Sequence, residues 1–346
     1  MRSSGLAGCD AGGDRDLQGS GRRGGPGLNP DHREERGMTV GFIGLGTMGL
    51  PMAINLVRAG LEVTGFDLAP DAGARLAAEG GKVAASAAQA MAGAAFVVTM
   101  LPTAAHVEAA LLGDEDALSG APTDAVVINM STILPEETEA LAARLAARGH
   151  RLVDAPVGRS ALEAARGALL ILASGTPDDL QAAKPLFDAM GNKTLDCGAV
   201  GNGSRVKVIN NFMGISLNAL TAEVLTLAEA SGLDIRLALD VMRGTIAGLG
   251  HMRVTYPNKV LKGDLEAGFP VDLAHKDLVL ALNLAARVNA PVFMGAAALQ
   301  SYSVTRADGR GRQDYTAVYP VLRALADLPD AIPYDPSQDK EYNPFA

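Results

Sequence analysis

A parallel α/β domain followed by an all-helical domain is the fold class predicted by three features of this sequence. A strand-like run from Val40 to Ile43 leads through three closely spaced glycines, Gly44, Gly46 and Gly49, into a helix-forming stretch. Short apolar runs then alternate with Ala-rich helical segments. Strand signals stop near Thr194, and the remainder of the chain to about Leu325 has helical periodicity. Alternation of this kind builds an open, mostly parallel sheet, and a strand-free remainder needs a second core of its own.

Residues 1–37 are rich in Gly, Arg, Asp and Ser and poor in aliphatic side chains. Such a segment cannot bury enough apolar surface to offset its ordering entropy and is expected to be a disordered extension, a misassigned start or a leader before Met38. The first helix is expected to stop at Gly60, and Leu61 to Asp67 reads as the second strand. Phe96 to Leu101, Ala125 to Met130, Arg151 to Ala155 and Leu169 to Ser174 read as further strands, with helices such as Glu136 to Arg148 between them. This places one domain at residues 38–198. Arg205 to Ala230, Arg236 to Met242, Leu273 to Val288, Pro291 to Arg306 and Asp314 to Leu325 read as the helices of a second, at 199–330. The first of these is long for a globular protein and is expected to bridge domains or to lie in a homodimer or homotetramer interface. Residues 331–346 are polar and Pro-containing and are expected to be a surface tail.

The glycine turn carries chemistry. Gly44 suits a tight turn, Gly46 lets an anion approach the backbone, and Gly49 lets the helix pack on the strand, with Thr47 and Met48 inside the same turn. The exposed N–H groups and positive dipole end of the helix then face a pyrophosphate. Asp67 comes after the glycines at the spacing of a carboxylate that binds an adenine ribose. It would repel a 2′-phosphate, and Leu68 offers no cation to one, so NAD is expected over NADP. A turn or cap acid ahead of Pro70 is the other reading of Asp67. Met100, Leu101 and Pro102, at a strand end, are expected to flank the cofactor crevice, although plain apolar packing uses the same letters.

Composition excludes other classes. The chain has 346 residues, 48% of them hydrophobic, and a net charge of −9, enough for about two domains and without the basic patch that nucleic acid or an anionic membrane requires. No bilayer-length apolar run or signal pattern is found, so a cytoplasmic location is expected. Cys9 and Cys197 are far apart and the five histidines lack ligand spacing, so neither a disulfide framework nor a metal is expected.

Five motifs occur in order between about Met38 and Leu328. They are GLGTMG with Pro51 and Asn55, MSTILP from Met130, DAPVGRS from Asp154, GNGSRVKVINN from Gly201 and AHKDLVLAL from Ala274. Together they resemble the β-hydroxyacid dehydrogenases, the group of 3-hydroxyisobutyrate dehydrogenase. The resemblance implies a Rossmann-type domain followed by an all-α domain, as in 6-phosphogluconate dehydrogenase, and an NAD-dependent dehydrogenase acting on a small anionic aldehyde or alcohol.

Lys207 and Asn211 lie four residues apart on a predicted helix and so project from one face. An ammonium there can protonate the alkoxide that develops as hydride reaches a carbonyl carbon, and the neutral amine can take that proton in the reverse direction. The resemblance implies this role for Lys207, with Asn211 and Asn210 holding substrate; a solvated or snorkelling lysine is the bland alternative. Ser131 and Thr132 could donate to the substrate or the nicotinamide side, or cap the helix that starts near Pro135. By resemblance Lys276 lies near the cofactor; an exposed pair with Asp277 is its alternative.

The departure is at Asp154 to Ser160. Where most of the family carries DAPVSGG, this chain has Gly158, Arg159 and Ser160. A guanidinium in an anion cradle suits an oxyanion with more oxygens than a carboxylate, such as a sulfonate. Together with GTIAGLGH, YPNKVLKGDL and GRGRQD further along, this resembles the branch of the family that acts on sulfonated aldehydes. A structural ion pair is the alternative for Arg159. Carboxylate substrates, namely 3-hydroxyisobutyrate, 4-hydroxybutyrate and tartronate semialdehyde, are the nearest rival reading. A non-catalytic dinucleotide-binding module and an imine reductase are more distant ones, and Lys207 argues against both.

Overall fold

The computed structural model describes residues 38–113, 117–248 and 250–330; the expected extension at 1–37 and tail at 331–346 lie outside them. The chain divides into two compact units, one through Val208 and one from Ile209.

The first unit is built on a six-stranded sheet in the order β3-β2-β1-β4-β5-β6. Its strands are β1 Thr39–Ile43, β2 Glu62–Phe66, β3 Lys82–Val83, β4 Phe96–Thr99, β5 Val126–Asn129 and β6 Arg151–Asp154. Every neighbouring pair is parallel. The intervening helices are α1 Gly49–Arg58, α2 Pro70–Ala78, α3 Ala87–Met91, α4 Ala104–Leu112 and α5 Pro135–Ala146. The central strands β4 and β5 are apolar up to their last residues, Thr99 and Asn129, as suits strands covered on both faces. Phe96, Val98, Val126 and Ile128 pack in a core with Leu50, Met52 and Leu56 of α1. Val97 and Val127 point the other way, against Met91 of α3, Leu111 of α4 and Leu141 of α5. The strand order reverses between β1 and β4, which opens a crevice beyond their carboxyl ends.

One expectation is corrected. Leu169 to Ser174 does not extend the main sheet: β8 Leu169–Ala173 pairs antiparallel with β7 Val157–Gly158 and parallel with β9 Gly191–Asp196. The strand at β9 carries polar Asn192, Lys193 and Thr194 and gives no periodic apolar signal. A two-residue bridge between Asp154 and Ser174 joins the two sheets. Helices α6 Ala161–Ala165 and α7 Pro177–Met190 complete this region, and Ile171 of β8 and Phe187 of α7 belong to the same core as α1.

Helix α8, Asn202–Ala230, begins in the first unit and runs on as the first helix of the second. The second unit adds α9 Ile235–Arg243, α10 Val271–Arg287, α11 Phe293–Ala307 and α12 Val318–Leu325. Asp234 caps α9 by accepting the Arg236 and Leu237 N–H groups, and Glu223 accepts those of Met294 and Gly295 at the start of α11. Buried Asp314 organises the approach to α10 by accepting from the Gly268 and Phe269 amides and from Thr316. A π turn at His251–Thr255 and a 3₁₀ turn at Val260–Lys262 fill the segment between α9 and α10. None of the described helices is long and apolar enough to cross a membrane.

Candidate active site

The turn after β1 is shaped for a dinucleotide. Gly44 has φ +97°, and a Cβ there would come within 2.3 Å of the Met100 carbonyl oxygen, so this turn packs directly on the loop after β4. At Gly49 a Cβ would lie 1.9 Å from the Gly44 oxygen; only glycine lets α1 sit that close to the strand. Gly46 is different, since nothing lies within 4 Å of a Cβ built there. The open space is where an anion can reach the backbone. Among the described residues the N–H groups of Gly46, Thr47 and Met48 donate to no protein acceptor, while Leu50 N–H closes the first helical bond to Gly46 O. A cleft of about 630 Å³ lies beside this turn, lined by Gly46, Thr47, Pro51, Asp71 and Arg75. Unpaired amides at a helix N-terminus next to open volume fit a pyrophosphate.

Asp67 makes the backbone contacts that the turn-acid reading expects. Its Oδ2 accepts from Leu45 N at 2.7 Å and its Oδ1 from Ala69 N at 2.7 Å. The carboxylate thus ties the glycine turn to the end of β2. Met100 and Leu101 are half-buried and Pro102 is exposed.

The hydroxyls are divided. Ser131 is fully buried; its Oγ accepts from Leu101 N at 2.9 Å, which joins the loops after β4 and β5. Asn129 completes that joint by accepting from Thr99 Oγ1 and Ser131 N, and its own buried Nδ2 has no partner among the described residues. Thr132 is exposed. Neither Ser131 nor Thr132 caps α5: Leu134 occupies that position, and its N–H is satisfied by the Glu137 carboxylate.

Arg159, on the loop after β7, has φ +77°, a left-handed conformation that a non-glycine side chain seldom holds. Its Nη1 donates to Ala168 O at 2.5 Å and to Asn192 Oδ1 at 2.6 Å. Both acceptors are neutral, so the ion pair considered from the sequence does not form among the described residues. Nε and Nη2, the edge of the fork suited to bidentate contact, have no partner there. The Ser160 hydroxyl is engaged in capping α6, accepting from Leu162 N and donating to Glu163.

Lys207 sits in the second turn of α8. It is half-buried, and its Nζ makes no hydrogen bond or ion pair among the described residues. Burial pushes the ammonium below the ordinary lysine range. An amine that is partly desolvated and without a partner among the described residues is a candidate for proton exchange. Asn210 is exposed and Asn211 half-buried on the same helix, in the second unit, with amides equally without partners among the described residues. Lys276, on α10, is exposed and pairs with Asp277 at 3.0 Å.

Residues 39–201 match the family model described as the NAD binding domain of 6-phosphogluconate dehydrogenase. Residues 201–322 match the model described as NAD-binding of NADP-dependent 3-hydroxyisobutyrate dehydrogenase. The chain is 46% identical over 289 residues to 3-sulfolactaldehyde reductase of Escherichia coli, covering 84% of this chain and 97% of that protein. This chain belongs to the β-hydroxyacid dehydrogenase family. Like the other β-hydroxyacid dehydrogenases it is an NAD-dependent oxidoreductase with a Rossmann-type first domain. A solved family structure, 3-hydroxyisobutyrate dehydrogenase of Mycobacterium tuberculosis with L-serine, matches at 34% identity with a TM-score of 0.58, covering 83% of this chain and 99% of that one. An imine reductase from Pseudomonas sp. matches with a TM-score of 0.73 at 21% identity over 83% of this chain and 99% of that one, a likeness of fold alone.

Sequence reading missed Asp154 and Asn129. Both are buried polar groups at strand ends, and their spacing along the chain gives no hint of the groups they meet in space.

Proposed function

We propose that this enzyme interconverts 3-sulfolactaldehyde and 2,3-dihydroxypropane-1-sulfonate, with Lys207 as the proton donor in reduction. The observation that carries the reading is Arg159: a strained, uncompensated guanidinium stands where the commoner family pattern has glycine, with one edge of its fork unpaired among the described residues. Strain retained at a loop position points to a function for the side chain, since glycine would hold the same backbone at no cost. The identity to 3-sulfolactaldehyde reductase supports the same substrate.

When bound, NADH would supply the hydride, held by the amides of the glycine turn and by Asp67, with Met100 to Pro102 and Thr132 along the crevice; Lys276, on α10 of the second unit, is carried as a cofactor-binding residue by the family motif alone. Lys207 then gives its proton to the oxygen that becomes the alcohol, and in the oxidation direction its neutral amine accepts that proton. Asn210 and Asn211 hold the substrate's hydroxyl groups, Arg159 takes two sulfonate oxygens, and Ser131 and Ser160 act by holding the loops around the anion. With no carboxylate paired to it among the described residues, the Lys207 amine is free to cycle.

The active form is read as a homo-oligomer, because α8 leaves Ile209, Phe212 and Ile215 at 63%, 74% and 69% exposure, an apolar stripe that a monomer would leave in water. Steady-state rates with NADH across sulfolactaldehyde, succinic semialdehyde, methylmalonate semialdehyde and tartronate semialdehyde test the substrate. A carboxylate semialdehyde that is turned over faster than sulfolactaldehyde returns the enzyme to the general hydroxyacid reading.

A further inference from the structure

The side chain of Asp154, at the carboxyl end of β6, is fully buried. Its Oδ2 accepts from Ser204 N at 2.8 Å and Ser174 Oγ at 3.1 Å, and its Oδ1 from Ser204 Oγ at 2.7 Å. Its backbone exchanges two hydrogen bonds with Ser174, the bridge between the sheets. The Ser174 hydroxyl in turn accepts from Gly203 N at 3.1 Å, and Thr138 of α5 lies 3.0 Å from Ser204 Oγ. At Gly203 a Cβ would stand 2.4 Å from Leu172 O and 3.0 Å from Asp154 O. One carboxylate therefore gathers the end of the main sheet, the end of β8 and the first turn of α8.

That turn leads directly to Lys207. Gly203 and Ser204 precede the lysine by one helical turn, on the same face, and a helical side chain leans back over the turn before it. A carboxylate at a helix N-terminus also complements the helix dipole. We infer that Asp154, acting through Ser174 and Ser204, is a positioning residue that sets the height and rotation of α8 and so the depth at which the Lys207 amine sits, an inference that rests on Lys207 as the proton donor. The neighbouring charges are engaged elsewhere: Arg205 pairs with Glu139 of α5, and Asp196, at the end of β9, accepts from Gly198 N while the Cys197 thiol turns to Leu195 O.

The test uses the full-length enzyme and the variants Asp154→Ala, Asp154→Asn and Ser204→Ala. It reads kcat, the KM for NADH, the thermal midpoint and the pH limb of alcohol oxidation that reports Lys207. Asp154→Ala is expected to lower kcat on the order of 100-fold, the scale of a misplacement of about 1 Å. KM for NADH should change little, and the pH limb should move up toward an ordinary lysine as the amine loses its burial. In Asp154→Asn one oxygen still accepts from Ser204 N and the amide can donate to hydroxyls turned around to accept, so most of kcat and the original limb should return. If Asp154→Ala does not fold, Ser204→Ala carries the same readouts in the same direction. A variant that melts lower while its folded fraction keeps wild-type kcat and an unmoved limb overturns the inference and leaves Asp154 a purely structural group. Lys207→Ala measured in parallel separates the two readings. If it retains turnover, the lysine reading fails; if it is inactive while the Asp154 and Ser204 variants keep the limb, the positioning inference alone fails.

Discussion

Arg159→Gly separates the cost of the guanidinium to the fold from its value to the substrate. The wild-type residue holds φ +77°, which costs an L-residue about 1–2 kcal/mol and glycine almost nothing. Against that relief stand the two bonds from Nη1 to Ala168 O and Asn192 Oδ1, on an exposed side chain, each contributing roughly 0.5–1.5 kcal/mol. The two contributions nearly cancel, and stability should stay within about 1 kcal/mol of wild type, a shift of roughly 1–2 °C in Tm for a protein of this size. Activity should not behave the same way. If Arg159 holds the sulfonate as proposed and bound substrate shields the fork from water, removing it costs about 2–4 kcal/mol, or roughly 30- to 1,000-fold in kcat/KM for sulfolactaldehyde. The assays are a thermal melt and initial rates on sulfolactaldehyde and a carboxylate semialdehyde side by side. An Arg159→Gly enzyme that melts far below wild type yet keeps its kcat/KM on the sulfonate would refute the reasoning and make Arg159 a loop clasp.

Lys207→Met should abolish turnover with NADH affinity intact, and retention of more than about 5% of kcat would remove the lysine from proton transfer. Because burial lowers the Lys207 pKa, folding favours the neutral amine, so the ammonium costs stability at neutral pH and the cost fades as pH rises toward the unfolded lysine value; the methionine variant should melt no lower than wild type at pH 7. In the same wild-type enzyme, aldehyde reduction should fall and alcohol oxidation rise as pH climbs through this depressed pKa. Gly46→Ala should keep the wild-type Tm and lose NADH affinity, whereas Gly49→Ala, with a Cβ 1.9 Å from Gly44 O, should fold poorly; equal melting of the two variants would contradict this. NADH should be preferred over NADPH by more than about tenfold in kcat/KM, since Asp67 repels a 2′-phosphate, and equal use of both cofactors would count against that placement.

How much of this protein is legible in its sequence depends on the range of the interactions involved. The strand-glycine-helix turn, the alternation of strands and helices and the change to an all-helical half are written in local periodicity and in backbone needs that only glycine meets, as Gly44 and Gly49 show. The order of the family motifs also places Lys207 on its helix without help from the tertiary structure. Pairing is not legible. Leu169 to Ala173 is apolar on both faces, so its letters mark a buried strand without naming its partners, and only the tertiary structure seats it between β7 and β9. The same limit applies to the polar groups. Whether Ser131 faces a ligand or a backbone amide, whether Arg159 is charge-paired, and which carboxylate receives the first turn of α8 depend on residues 30 to 50 positions away, as in Leu101 to Ser131 and Asp154 to Ser204. Hydrogen bonds need atoms within about 3 Å, and sequence spacing carries no information at that distance once the chain has turned back on itself.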